Sequence, residues 1–169
     1  SLRKLPLDED SLRELYSEIL ESPALRGQRW DITSPDVIED IWLKIVKKMD
    51  NPDPFSLEKS NQNKKVMKLY PVLEKIVNDD PDPLYTATKL AILGNSLDFM
   101  VADSALTIEN SIKDRINAPL SNARFSEFKQ QLQASKNLIY FGDNAGEIVF
   151  DKLLIETIKK WHQLEIVFV

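Results

Sequence analysis

Residues 138–154 restrict what this chain can fold into more than any other segment. Leu138, Ile139, Tyr140 and Phe141 are four successive apolar residues and read as a short buried strand. Gly142 interrupts the run, Asp143 and Asn144 follow at once, and Ala145 and Gly146 lead into an apolar-rich helix beginning near Glu147. Strand, tight polar loop and helix in that order open a parallel α/β unit. In such units ligands gather beyond the carboxyl ends of the strands, and helix N-termini favour anions. A lone aspartate at that place repels a phosphate. A hard divalent cation resolves the conflict, because it takes oxygen ligands and bridges to phosphate oxygens. Asp and Asn are also good helix N-caps. Cap and metal ligand are compatible roles, and spacing alone leaves both open.

The glycines sharpen this reading. The chain has only four in 169 residues, Gly27, Gly94, Gly142 and Gly146. Two bracket the Asp-Asn pair, and Gly94 opens a second unusual segment, Gly94-Asn95-Ser96-Leu97-Asp98-Phe99. Glycine inside a helix costs roughly 1 kcal/mol relative to alanine. Close approach of a helix or a ligand is therefore expected at these positions.

Residues 1–135 read as helices. Leu12, Leu15, Tyr16, Ile19 and Leu20 follow a 3.6-residue period, with Asp8 or Asp10 as the cap. Thr33-Ser34-Pro35-Asp36 is a helix start with a serine cap and proline in the first turn. Val37, Ile38, Ile41, Trp42, Ile45, Val46 and Met49 continue it as one apolar stripe, which predicts that Trp42, Ile45 and Met49 are buried. Asn51-Pro52-Asp53-Pro54 and Asp80-Pro81-Asp82-Pro83 read as capped turns between helices, and Pro71 as the end or kink of the helix carrying Val66, Met67 and Leu69. A helix is expected from Leu84 to about Val101, with Asn95 and Asp98 three apart on one face. A polar pair in so apolar a helix caps a break or lines a site, and this one is expected to line a site. One or two more helices occupy residues 105–134.

After Lys136 the pattern becomes strand, helix, strand. Ile148, Val149, Phe150, Leu153, Leu154, Ile155, Ile158 and Trp161 make the helix apolar over most of its surface, as in a helix packed on a sheet and covered from elsewhere. Ile166, Val167, Phe168 and Val169 are expected to form a buried parallel strand beside residues 138–141. The expected class is α+β to α/β: a helical subdomain over 1–52, a second over 53–135, and the start of an α/β domain over 136–169. Two strands and one helix do not close a sheet, so the sequence is expected to be the N-terminal portion of a larger α/β protein.

Bulk properties exclude several classes of function. A net charge of −5 and a pI near 5.0 argue against nucleic-acid binding. Cysteine is absent, which removes disulfides, zinc-thiolate sites and thiol nucleophiles. No apolar run approaches the ~20 residues needed to span a bilayer, and no signal peptide opens the sequence, so a cytoplasmic location is the default. The only histidine, His162, follows Trp161 near a helix C-terminus, where it suits the dipole better than it serves as a general base.

Gly-Asp-Asn-Ala-Gly-Glu-Ile-Val-Phe-Asp at 142–151, preceded by an apolar strand, resembles the hallmark of the DUF89 proteins, the metal-dependent damage-control phosphatases. Residues 91–99 look like the family's second signature, and Asn51-Pro52-Asp53-Pro54-Phe55 through Ser60-Asn61 is similar to its helical-domain segment. The resemblance implies a helical N-terminal region joined to a Rossmann-like α/β/α parallel-sheet domain, with a divalent metal (Mn, Mg, Co or Ni) at the crevice. It implies that Asp143 and Asn144 are metal ligands and that a third, an aspartate, falls beyond Val169. Asn95 and Asp98 match positions facing the active-site crevice, and Glu147 matches the motif's glutamate. Prokaryotic members often carry a cysteine pair near the start, which this chain lacks.

The expected activity is hydrolysis of small phosphate monoesters such as sugar phosphates, with no nucleic-acid or membrane partner. Asp143 anchors the metal and is the catalytic candidate, as nucleophile or as the group orienting a water. Asn144 supplies a neutral oxygen that limits the site's negative charge. The amides of Ala145 and Gly146, together with Asn95, Asp98 and Glu147, are the substrate-binding candidates. The alternatives are a non-hydrolytic Rossmann-type nucleotide or cofactor-binding domain, a carboxyl methyltransferase, and a helical interaction module. Gly142 and Gly146 do not make G-x-G-x-x-G, which counts against the cofactor-binding readings.

Overall fold

The computed structural model describes residues 2–96, 105–117 and 124–169. The chain divides into two compact units, Ser1–Glu58 and Lys59–Val169.

In the first unit a 3-10 turn, Leu2–Lys4, precedes helices α1 (Glu9–Leu20) and α2 (Ser34–Met49). Asp8 caps α1, its carboxylate accepting the Ser11 amide at 2.7 Å. The cap of α2 is Thr33, one residue earlier than the sequence suggested, because the Asp36 carboxylate reaches back to accept the Thr33 amide at 2.7 Å. A small core joins Leu5, Leu15, Ile19 and Ile45, with Ile41, Met49 and Phe55 against it. The α2 stripe is narrower than its periodicity implied. Of the three residues expected inside, only Ile45 is buried; Trp42 and Met49 are half-buried, and Ile38 lies open. So short a helical pair covers only the centre line of the stripe, and Trp42 instead stacks on Phe55 with ring centroids 6.0 Å apart.

Helix α3 (Ser56–Met67) crosses into the second unit, which continues with α4 (Tyr70–Asn78), α5 (Pro83–Asn95), α6 (Ala105–Arg115) and α7 (Phe125–Ala134). Pro71 stands in the first turn of α4, and the break before it ends α3 as expected. Asp82 caps α5 by accepting the Tyr85 amide at 3.2 Å. Helix α5 ends at Asn95 with Ser96 as its C-cap, and the remainder of the helix expected to about 101 lies outside the described residues. Strand β1 (Asn137–Tyr140), helix α8 (Glu147–Trp161) and strand β2 (Glu165–Phe168) follow. The strands pair in parallel, Asn137 opposite Glu165 and Tyr140 opposite Phe168. This mostly helical chain with a small parallel sheet agrees with the α+β to α/β expectation.

Helix α8 is the centre of this unit. Val149, Phe150, Leu153, Leu154 and Ile158 are buried in one core with Leu84, Ala87, Leu90 and Ala91 of α5 and with Leu73 and Val77 of α4. Gly94 explains how α5 packs so closely: a Cβ there would lie 2.8 Å from the Phe150 ring. Trp161, counted on the apolar surface of α8, is the last residue of that helix and is 66% exposed. Leu138, Tyr140 and Ile166 turn toward the core, while Ile139, Val167 and Phe168 are exposed. Among the described residues strand β2 is therefore covered on one face.

Candidate active site

The parallel ladder delivers the polar loop. The Val169 amide donates to the Tyr140 carbonyl and the Gly142 amide to the Val169 carbonyl, each at 2.9 Å, so pairing continues to Gly142. Asp143 and Asn144 then stand past the carboxyl end of β1, both exposed, one turn before α8. Gly146 turns the chain into the helix with φ of 86°, a conformation that a side chain disfavours.

Glu147, the first residue of α8, is only 8% exposed, and its carboxylate is matched on both oxygens. Oε2 accepts from Asn95 Nδ2 at 3.0 Å and Oε1 from Asn144 Nδ2 at 3.1 Å. A carboxylate only accepts, so each asparagine must turn its NH₂ toward Glu147 and its carbonyl oxygen elsewhere. A buried acid thus gains the partners it needs and fixes the sense of two amides, one from α5 and one from the loop.

Asp143, Asn144, Ala145, Gly146, Glu147 and Asn95 are therefore brought together at one end of α8. Asp98 lies outside the described residues. The Gly146 amide is already engaged, donating to Asn63 Oδ1 at 2.6 Å. His162 sits at the other end of α8, a helix of 15 residues and so roughly 22 Å away at 1.5 Å per residue. There it lines a cleft with Asp82, Lys129 and Trp161.

Two groups escaped the sequence reading. Asn63 lies 83 residues from Gly146, on a helix with no apolar stripe to orient it. Asp151 is half-buried and accepts from the Tyr140 hydroxyl at 2.6 Å. Its spacing of four residues from Glu147, one helical turn, was the signal available. Burial first, and then the nearby Asp143 charge, push the Asp151 carboxyl up, against the Tyr140 hydrogen bond that lowers it. Burial, with Asp151 as partner, raises the Tyr140 hydroxyl well above its usual value.

The donor set suits a hard divalent cation in part. Among the described residues the Asp143 carboxylate has no hydrogen bond or ion pair, and the carbonyl oxygen of Asn144 is released by the bond its NH₂ makes to Glu147. One charged and one neutral oxygen are the donor types that Mg²⁺ and similar ions take. No group of three or more His, Cys, Asp or Glu able to hold a metal occurs among the described residues.

A helical chain whose parallel strand pair and helix N-terminus carry Gly-Asp-Asn-Ala-Gly-Glu defines a recognisable class. The chain belongs to the damage-control phosphatase ARMT1-like domain family, whose model matches residues 10–169. A damage-control phosphatase from Pyrococcus horikoshii is 29% identical over 126 residues, covering 75% of this chain and 43% of that protein. One from Archaeoglobus fulgidus is 29% identical over 155 residues, covering 90% and 53%. An uncharacterised protein of Methanocaldococcus jannaschii is 31% identical over 123 residues, covering 70% and 40%. The crystal structure of a DUF89 family protein from Pyrococcus horikoshii superposes with a TM-score of 0.80 over 99% of this chain and 57% of that one, at 24% identity. The chain spans about half the length of the relatives it matches. Among the described residues no helix is long and apolar enough to cross a membrane.

Proposed function

We propose that this chain carries part of the active site of a metal-dependent phosphatase acting on small phosphate monoesters such as sugar phosphates. The observation that carries the proposal is the Glu147 clamp: it turns the Asn144 oxygen free beside the exposed Asp143 carboxylate. Asp143 and Asn144 would hold a divalent cation, which supplies neutralisation and polarisation of the phosphoryl group. Asp143 contributes the charge that fixes the cation, and Asn144 a ligand without charge, which limits the negative charge facing an anionic substrate. Asn95 is held by Glu147 with its own carbonyl oxygen turned away from that acid, ready to accept a hydrogen bond from a substrate hydroxyl. The family's phosphatase relatives support the reaction class, and the strand–loop–helix takes the place of the Rossmann-like part of the site.

The test is a hydrolysis screen of the full-length protein against sugar phosphates and other small phosphomonoesters with Mg²⁺, Mn²⁺, Co²⁺ and Ni²⁺ in turn. Phosphate release that requires a divalent ion and vanishes in Asp143→Asn supports the reading. Release insensitive to both chelator and the substitution overturns it.

A further inference from the structure

Three asparagine side chains from three separate elements meet the first turn of α8, and they face it in different senses. Asn95 and Asn144 turn their NH₂ groups to Glu147. Asn63, from α3, turns its carbonyl oxygen to the Gly146 amide at 2.6 Å. The consequence for phosphate is specific. The Gly146 N–H, one of the two loop amides expected to meet an anion, is spent within the protein. Asn63 meanwhile keeps both hydrogens of its own NH₂ without an acceptor among the described residues. That NH₂ is one carboxamide width from the bond to Gly146, on a half-buried side chain.

We infer that Asn63 is a substrate-binding residue of the proposed phosphatase site, its side-chain NH₂ donating to a phosphoryl oxygen in place of the Gly146 amide. The inference rests on the phosphatase reading of Asp143 and Asn144. It assigns a complementary division of labour: Asp143 and Asn144 present oxygens for a cation, and Asn63 presents hydrogens for the anion. An amide suits that position because it accepts from Gly146 and donates to substrate at once. Aspartate keeps the first function and loses the second, and its charge repels a phosphate.

The two functions separate experimentally in Asn63→Asp. The new carboxylate still accepts the Gly146 amide and sits favourably at a helix N-terminus, so the folded state is retained. Thermal midpoint, affinity for inorganic phosphate by calorimetry, and KM and kcat for the best phosphomonoester are measured on the full-length protein loaded with Mg²⁺. We expect Asn63→Asp to keep the wild-type midpoint while KM and the phosphate dissociation constant each rise at least tenfold, with a smaller change in kcat. Asn63→Ser, shorter but still a donor, should recover part of the phosphate affinity. Unchanged phosphate affinity and KM in Asn63→Asp overturn the inference and reduce Asn63 to a cap, leaving the phosphatase reading intact. Phosphate binding that is lost in Asn63→Asp, in a wild type that hydrolyses no ester, supports the Asn63 contact and overturns the phosphatase reading instead. A wild type that neither binds phosphate nor hydrolyses esters overturns both.

Discussion

Glu147 accepts an amide hydrogen of Asn144 through Oε1 at 3.1 Å while its other oxygen holds Asn95. Glutamine is nearly isosteric but offers one acceptor and one donor. In Glu147→Gln one of the two asparagines must therefore flip or lose its bond. The expected outcome is a folded protein whose Mn²⁺ affinity falls about 10–100-fold, the range for losing a group that orients a metal ligand. Titration followed by the electron spin resonance of free Mn²⁺ reads this without any substrate. An unchanged affinity shows that Asn144 does not depend on Glu147 for its orientation.

Asp151 gives a pH dependence. Burial foremost holds its carboxyl above the ordinary value of 3.8. Below that value the carboxyl is protonated in both folded and unfolded chains and costs nothing. As pH rises through it the unfolded chain releases its proton first, so stability falls until the folded carboxyl also ionises. Asp151→Asn removes the titration and keeps an oxygen for the Tyr140 hydroxyl. Its stability relative to wild type should therefore be greater at pH 7 than at pH 3.5. Urea denaturation at the two pH values in the presence of chelator makes the comparison. A relative stability that is equal or lower at pH 7 refutes the raised carboxyl.

The elements most legible in the sequence are those set by local rules. Residues 141–146 link strand to helix because glycine breaks the continuous apolar run and a 3.6-residue apolar period then follows. Proline and aspartate fix the starts of α4 and α5 in the same local way. Burial depends on what else packs, which periodicity along one helix does not carry. Trp42 lies on the predicted stripe yet is half-buried, since α1 and the turn around Leu5 cover only part of α2. Asn63 was invisible for a related reason. Its partner is a backbone amide brought to it by the tertiary fold, and no local pattern on α3 marks one polar residue above its neighbours.

Gly94 tests the packing that supports the site. A Cβ at this position would meet the fully buried Phe150 ring at 2.8 Å, well inside contact distance. Alanine recovers up to about 1 kcal/mol of helix propensity, but overpacking a core costs typically about 1–3 kcal/mol. The steric term wins, so Gly94→Ala should lower stability by roughly 1–2 kcal/mol. It should also disturb Asn95 next door. Denaturant unfolding gives the first number, and a more stable variant means that Phe150 gives way at no cost.

Trp42→Ala should cost less than the roughly 3–5 kcal/mol of a buried tryptophan. Its ring is half-buried and contributes one stacked contact, with Phe55 at 6.0 Å. Such an aromatic pair is worth about 0.5–1.5 kcal/mol beyond area burial, which puts the loss near 2 kcal/mol. A loss above about 4 kcal/mol in the full-length protein means that Trp42 is covered by more than Phe55.

The strongest dependence should fall on Asp143. Its carboxylate is exposed, and the described residues give it no hydrogen bond or ion pair, so the fold gains little from its charge. Surface changes of this kind usually stay within about 0.5 kcal/mol of stability. Asp143→Asn without metal should therefore melt like the wild type. With metal the two should part. A ligand present at about 100 times its dissociation constant stabilises the folded state by about 2.7 kcal/mol through mass action alone. Wild type should gain a clear upward shift in Mg²⁺ or Mn²⁺, and Asp143→Asn little or none. Turnover should fall with the binding, by roughly 100-fold or more, as when a group holding the charge-stabilising element of a site is lost. If Asp143→Asn melts and shifts with metal as the wild type does, the carboxylate only shapes the start of the helix and the metal lies elsewhere.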